Sequence, residues 1–452
     1  MVRPGSAVWS AVRLMSRGHG ATWAVVQTVV TRALLVALNF GTGIIVARHL
    51  GAPGRGELTA LIVWPPLLAN ICSFGIPSAL LYHARKRPGE RDALFSAAML
   101  IGVGLSAVSI AAGFLILPFA LIRYDAATVH LAQLFLFVTP EILLSYIIGA
   151  LLQVTDRFSF FNQVRFVPVI VTLVGLIAVQ SAGALTAGSA AACYLLPSIP
   201  MLVWTIWRLR GIASFSFHAF GANLKRLIDY GWRAAGVTIL ATLAQQVDQI
   251  LIIALVSATS MGLYVVALSV SRVPLLVFSS VTDVITSKTV GLAPAEITAI
   301  VGRYVRSSMA TGTLAALALA AIVPLVVPWF YGSDFAAAIR ITEVLLVELV
   351  ATGVAIVLSV AFMAVARPGA VSLLQGGSIV LAVPLMVALI PRLGLMGAAL
   401  GLVITSLVRL AATIAIYPRI VGTPAPSILP GRDDLRMIVA TLRGGESAAA
   451  QR

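Results

Sequence analysis

Long apolar stretches alternate with short polar, mostly basic segments along this chain, about twelve times between residues 21 and 418. A helix that crosses a bilayer needs ~20 mostly apolar residues. Ala93 to Leu121 carries no charge at all, and the other stretches are broken by only a few polar positions. The expected spans are 21–48, 58–82, 93–121, 131–154, 166–183, 187–207, 234–257, 262–287, 307–330, 338–366, 370–391 and 394–418. This pattern predicts an all-α polytopic membrane protein, because only helices and closed barrels satisfy their backbone in lipid.

The basic residues orient the spans. With the N-terminus on the cytoplasmic side, 23 of the 31 Lys and Arg residues fall in cytoplasmic segments. They concentrate at Arg85–Arg91, Arg208–Arg233 and in the C-terminal tail, whereas Arg48, Arg55, Arg123, Arg340 and Arg392 fall outside. Such asymmetry is the positive-inside rule, and an even number of spans with both ends cytoplasmic satisfies it. Composition agrees: 60% of residues are hydrophobic and 10% charged, with a mean hydropathy of +1.02. A soluble chain is typically about 25% charged. The net charge of +15 therefore reads as membrane orientation rather than nucleic-acid binding. The apolar stretch from Ala21 is too long for a secretory signal and lacks a clear cleavage site. Cys72 and Cys193 both lie within spans and imply no disulfide framework.

The chain divides into a cytoplasmic tail (1–20), an N-lobe of spans 1–6 (21–207), a connecting loop (208–233), a C-lobe of spans 7–12 (234–418) and a cytoplasmic tail (419–452). Arg432–Leu442 is compatible with a short surface helix or with disorder. A weak internal repeat supports the two halves. Ile44-Ile45 and Gly56-Glu57-Leu58-Thr59-Ala60-Leu61 return about 206 residues later as Ile250-Leu251 and Gly262-Leu263-Tyr264-Val265-Val266-Ala267. Asn39 then corresponds to Gln245. Paired six-helix halves are a recurrent transporter design.

The candidate chemistry lies in charges that should not be in a membrane. Arg32, Glu141, Asp248, Arg272, Glu348 and Arg409 fall near mid-span, and Glu343 sits one turn from Glu348. Each costs ~2.5–3.5 kcal/mol at the bilayer centre on insertion scales. They must face one another or a hydrated interior. Interhelical ion pairing is the structural reading; a polar translocation route is the functional one. Ten or so prolines within the spans, among them Pro140 and Pro274, suit kinked, gated helices but are also common in membrane helices. No phosphate-binding GxxxxGK[ST] loop, HExxH or CxxC occurs, and the five His show no ligand spacing. Neither ATP-driven transport nor an enzyme activity is indicated, and no metal or cofactor is implied.

The chain resembles the polysaccharide-biosynthesis (Wzx-type) oligosaccharide flippases of the MOP superfamily, which also holds lipid II flippases and MATE exporters. The resemblance runs over about residues 20–420. It rests on Ala47-Arg48-His49-Leu50-Gly51-Ala52-Pro53-Gly54-Arg55-Gly56-Glu57, on Asp156-Arg157-Phe158 with Asn162, and on Tyr230-Gly231. Gly262-Leu263-Tyr264, Tyr331-Gly332 through Phe335-Ala336-Ala337, and Gly394-Leu395-Met396-Gly397-Ala398-Ala399 complete it. It implies two six-helix lobes around a central cavity. It also implies a bacterial cytoplasmic-membrane transporter that flips polyprenyl-pyrophosphate-linked oligosaccharide by alternating access. Arg32 and Arg272 are then the expected pyrophosphate ligands, Arg409 is a further candidate from its position alone, and Asn39 and Gln245 are candidates for glycan hydroxyls. Asp248, Glu348, Glu141 and Glu343 are expected to couple an ion or hold the arginines. The candidate driving forces are a proton gradient, a sodium gradient and the membrane potential. The implied partners are the lipid-linked substrate, membrane lipids, and a polysaccharide polymerase and glycosyltransferases. About twelve spans rather than fourteen depart from lipid II flippases. Arg32 departs from MATE exporters with an Asp in span 1, while Asp248 with Glu343 or Glu348 loosely matches those with acids in spans 7 and 10. A MATE-type cation-coupled antiporter is the alternative, and a scaffold on a transporter-like fold the third reading.

Overall fold

The structure is a computed structural model that describes residues 21–429 and 431, apart from 212, 217 and 290, with side chains from 34 onward and none at 237, 283 and 287. The tails at 1–20 and 432–452, including Arg432–Leu442, lie outside the described residues. Every regular element among the described residues is helical. The helices are α1 (Ala21–Ile62), α2 (Trp64–Cys72), α3 (Ile76–Lys86), α4 (Arg91–Ala120), α5 (Ala126–Phe135), α6 (Thr139–Val154), α7 (Phe158–Ser181) and α8 (Ala187–Leu195). They continue as α9 (Ser198–Leu209), α10 (Phe220–Leu255), α11 (Ala258–Ser271), α12 (Leu275–Thr289), α13 (Pro294–Tyr331), α14 (Ala338–Ala364), α15 (Pro368–Leu393) and α16 (Leu395–Val421).

Among the described residues, ten helical stretches are long and apolar enough to cross a membrane, and eleven if the bent pair α11–α12 makes one crossing. The difference from twelve has a physical cause. The stretch Leu34–Cys72 includes α1, which contains Gly51 at φ 64°, ψ −172°. Only glycine adopts this backbone at low cost, so α1 is two arms joined at a sharp corner. A straight helix of that length would be nearly twice the ~30 Å hydrocarbon thickness. Gly51 thus lies between the expected spans 1 and 2, which the helix runs together as one element. The chain is a multi-pass membrane protein, and its exposed side chains agree: Leu115, Phe119, Leu373 and Val380 are more than 70% exposed on span surfaces, as lipid contact allows.

The chain forms two compact units, residues 1–242 and 243–452. In the first, a core gathers Leu80, Leu94, Phe95, Leu143, Ile147, Leu151 and Leu227 from α3, α4, α6 and α10. Gly102 of α4 lets that helix close onto α6, because a Cβ there would meet Ile147 at 2.6 Å. The segment 220–233, expected in the connecting loop, is helical from Phe220; Leu227 is wholly buried while Lys225 and Arg233 stay outside. Polar contacts tie down the adjoining turns: Arg226 meets Glu90 at 2.5 Å, and Asp92 accepts from the Ser214 backbone and hydroxyl at 3.1 and 2.7 Å. In the second unit, Phe278 of α12 fills a slot made by Gly312 of α13 and Gly353 of α14. Val354, Leu358, Phe362 and Tyr417 continue this core.

Candidate functional site

Two breaks in the membrane helices put polar groups where the sequence places charges. Pro274 has no N–H to donate and cannot continue a helix, so α11 stops at Ser271, and α12 leaves at a bend of 47°. Arg272 caps α11 at this bend and is exposed. A cation at a helix C-terminus is favoured by the backbone dipoles. In the first unit, the Leu136–Val138 turn tightens to 3₁₀ geometry ahead of Pro140. Glu141 follows in the first turn of α6 and is buried.

The second unit holds a cavity of about 290 Å³ lined by Gln245, Asp248, Arg272, Glu348 and Arg409, together with Thr352, Gln375, Ser378 and Ser406. Five sequence-predicted site residues thus share one space. They come from α10, from the α11–α12 bend, and from α14 and α16, with α15 supplying Gln375 and Ser378. Asp248 is 2% exposed and accepts from the fully buried Tyr264 hydroxyl at 2.6 Å. Glu348 accepts from the Ser406 hydroxyl at 2.9 Å and from Thr352 one turn along its own helix. Arg409 donates to the Thr352 hydroxyl at 2.8 Å, and its Nε is buried without a partner.

Among the described residues no ion pair within 4 Å joins Arg272 or Arg409 to an acid. The expected structural reading, direct interhelical ion pairs, does not describe this cluster. The acids are held by hydroxyls, and both arginines line the cavity. The other predicted residues are placed elsewhere. Glu343 is exposed and outside the cavity. Asn39 is exposed on α1. Glu141 lies in a separate cavity of the first unit. The Arg32 side chain lies outside the described residues. Thr352, Tyr264, Gln375, Ser378 and Ser406 were missed. Helical spacing could have found some of them: Thr352 is i+4 from Glu348, and Ser406 is i−3 from Arg409.

Residues 20–286, more than half of the chain, match a protein family described as "Polysaccharide biosynthesis protein". The chain belongs to this polysaccharide biosynthesis family. No curated protein matches it. Among solved structures, the family member is similar to the lipid II flippase MurJ in an inward closed conformation. The TM-score is 0.73 at 17% identity, over 91% of this chain and 90% of that one. It is similar to an inward-facing multidrug resistance MATE family transporter of the MOP superfamily, with TM-score 0.70 at 14% identity over 86% and 94% of the two chains. It is also similar to a MOP superfamily transporter from Pyrococcus furiosus with a binding pocket of reversed polarity, at TM-score 0.59 and 14% identity over 91% and 98%. At such identities the likeness establishes the fold: this family member has the MOP transporter fold. The structural neighbours are named as a flippase and as transporters.

Proposed function

We propose that the protein flips a polyprenyl-pyrophosphate-linked oligosaccharide from the inner to the outer leaflet of a bacterial cytoplasmic membrane by alternating access. The observation that carries this reading is the pair Arg272 and Arg409, which share a membrane-embedded cavity without a direct carboxylate partner. The family supports a role in polysaccharide biosynthesis, and the fold supports transport.

The chemistry follows from the donors. A guanidinium stays charged and offers a planar fork that fits phosphate oxygens two at a time. In a site screened from water its attraction for an anion far exceeds the value in solution. Arg272 and Arg409 line one cavity, so a phosphate bound there would meet both guanidinium groups. Gln245, Gln375 and Ser378 offer amide and hydroxyl groups to a sugar. Asp248 and Glu348 have oxygens committed to Tyr264, Thr352 and Ser406, which tempers their repulsion of the anion.

The second reading, a cation-coupled multidrug or small-solute antiporter, is favoured by the same two acids. Lipids extracted from cells lacking this protein distinguish the two. Accumulated polyprenyl-pyrophosphate-linked saccharide with loss of surface polymer is the result expected of a flippase and would identify the cargo. Unchanged lipid-linked pools with raised sensitivity to cationic drugs would assign the antiporter.

A further inference from the structure

The first unit holds its own cavity, about 570 Å³, that the arginine cluster does not use. Glu141 lines it at 8% exposure. Its Oε1 accepts from the Ser145 hydroxyl at 2.8 Å, and its Oε2 is buried with no partner. Ser198 lines the same wall and gives its hydroxyl proton to the Leu195 carbonyl at 2.6 Å. Glu141 thus has one hydroxyl donor on Oε1 and no cationic partner among the described residues, a buried setting in which the neutral acid costs less than the carboxylate.

Charge does not compensate an ionised Glu141. Arg165 lines the cavity, but it is exposed, its guanidinium stacks over the Phe161 ring at 5.5 Å, and no ion pair joins it to Glu141 among the described residues. Tyr146 is the other titratable lining group. The helices packed against α6 place their remaining charges far along their lengths. Arg85 of α3, beside His83 and Lys86, reaches the Gln153 carbonyl, twelve residues past Glu141 and so ~18 Å along α6. Arg91 and Asp92 open α4, and Arg208 lies ten residues beyond Ser198 in α9. A lone buried carboxylate is costly and takes up a proton instead. Asn70, Ser73 and Ser78 make the cavity polar, and it has room for several waters at roughly 30 Å³ each. A proton can therefore enter and leave.

We propose that Glu141 is a proton-binding site of the first unit, separate from the arginine cavity of the second, and that it couples transport to a proton gradient. One carboxylate oxygen takes the proton from cavity water and returns it to cavity water, and no bond to the cargo forms. The coupling rests on the flippase reading; the proton site does not.

The test is infrared difference spectroscopy of the full-length protein in liposomes as pH is raised. The wild type should show the carbonyl band of a protonated carboxylic acid that disappears on ionisation, and Glu141→Gln should lose that band. Ser145→Ala removes a donor to the carboxylate, so the band should persist to higher pH. An unchanged band in Glu141→Gln overturns the proposal. So does sodium-22 binding that Glu141→Gln abolishes with no protonation change, which would make this a sodium site. In proteoliposomes carrying polyprenyl-pyrophosphate-linked oligosaccharide, a pH gradient should stimulate wild-type transport, and Glu141→Gln should lose that stimulation. Band loss in the variant with no flipping by the wild type would sink the flippase reading and leave the proton site standing.

Discussion

Arg409 and Glu348 do not touch; the Thr352 hydroxyl stands between them, accepting from Arg409 at 2.8 Å while it donates to Glu348. The arrangement lets a membrane-embedded arginine and carboxylate sense one another without neutralising each other. Thr352→Val keeps the shape and removes the relay. A hydrogen bond to a charged group contributes ~1.5–3 kcal/mol, so transport of the lipid-linked substrate should fall roughly ten- to a hundredfold. Thr352→Ser should keep most of it. Initial rates in proteoliposomes check both, and a Thr352→Val variant with wild-type rates would remove the hydroxyl from the site.

Much of this was legible in the sequence, and the reasons for the rest are physical. Apolar length gives the spans, because lipid allows few exceptions, and the Lys and Arg asymmetry adds an expected orientation. The cost of intramembrane charge marked Asp248, Arg272, Glu348 and Arg409, which converge on one cavity. It could not separate Glu141 from them, because charge cost carries no information about which helices meet. Nor could it exclude Glu343, one turn nearer the membrane surface and exposed. The hydroxyls that hold the acids were invisible because Ser and Thr are ordinary in membrane helices, where they bond to the preceding turn. Gly51 falls between the expected spans 21–48 and 58–82. Its positive φ shows why two spans merge into one element.

Phe278 occupies the space that two glycines leave. A Cβ on Gly353 would lie 2.5 Å from its ring, and one on Gly312 at 2.3 Å. No carbon can approach so closely, so Gly353→Ala must displace the ring or spread α12 from α14. Overpacking of this kind costs ~1–3 kcal/mol. Thermal unfolding in detergent should show a lowered midpoint for Gly353→Ala. Adding Phe278→Leu should recover part of the loss, because the two changes share one contact. Additive losses would mean that the helices are held apart by something else.

The C-terminal end of α3 carries a pH dependence of its own. Burial first, and then the charges of Arg87, Arg226 and Lys86, hold the His83 imidazole below its ordinary value. The unfolded chain then binds more protons than the folded one as pH falls below the usual His value of about 6.5. Stability should be level above that pH and should drop as pH descends through it. His83→Gln should flatten the drop. Thermal midpoints of the two proteins across this range make the comparison, and parallel curves would assign the acid sensitivity to another group.

Arg272 and Arg409 should separate on stability while agreeing on activity. Arg409 holds Thr352 and is half-buried, so Arg409→Ala strands a hydroxyl and leaves a void in the α14–α16 contact. Arg272 is exposed at the end of α11 and has no ion pair within 4 Å among the described residues. Arg272→Ala should therefore leave the unfolding midpoint within ordinary surface variation, about 0.5 kcal/mol, and still reduce transport at least tenfold. Arg272→Lys keeps the charge but loses the planar fork, so it should recover only part of the rate. Paired measurements of unfolding and of lipid-linked substrate flipping decide the matter. Full transport by Arg272→Ala would remove this arginine from the anion site. Loss of both stability and transport would make it a structural cap of the bent span.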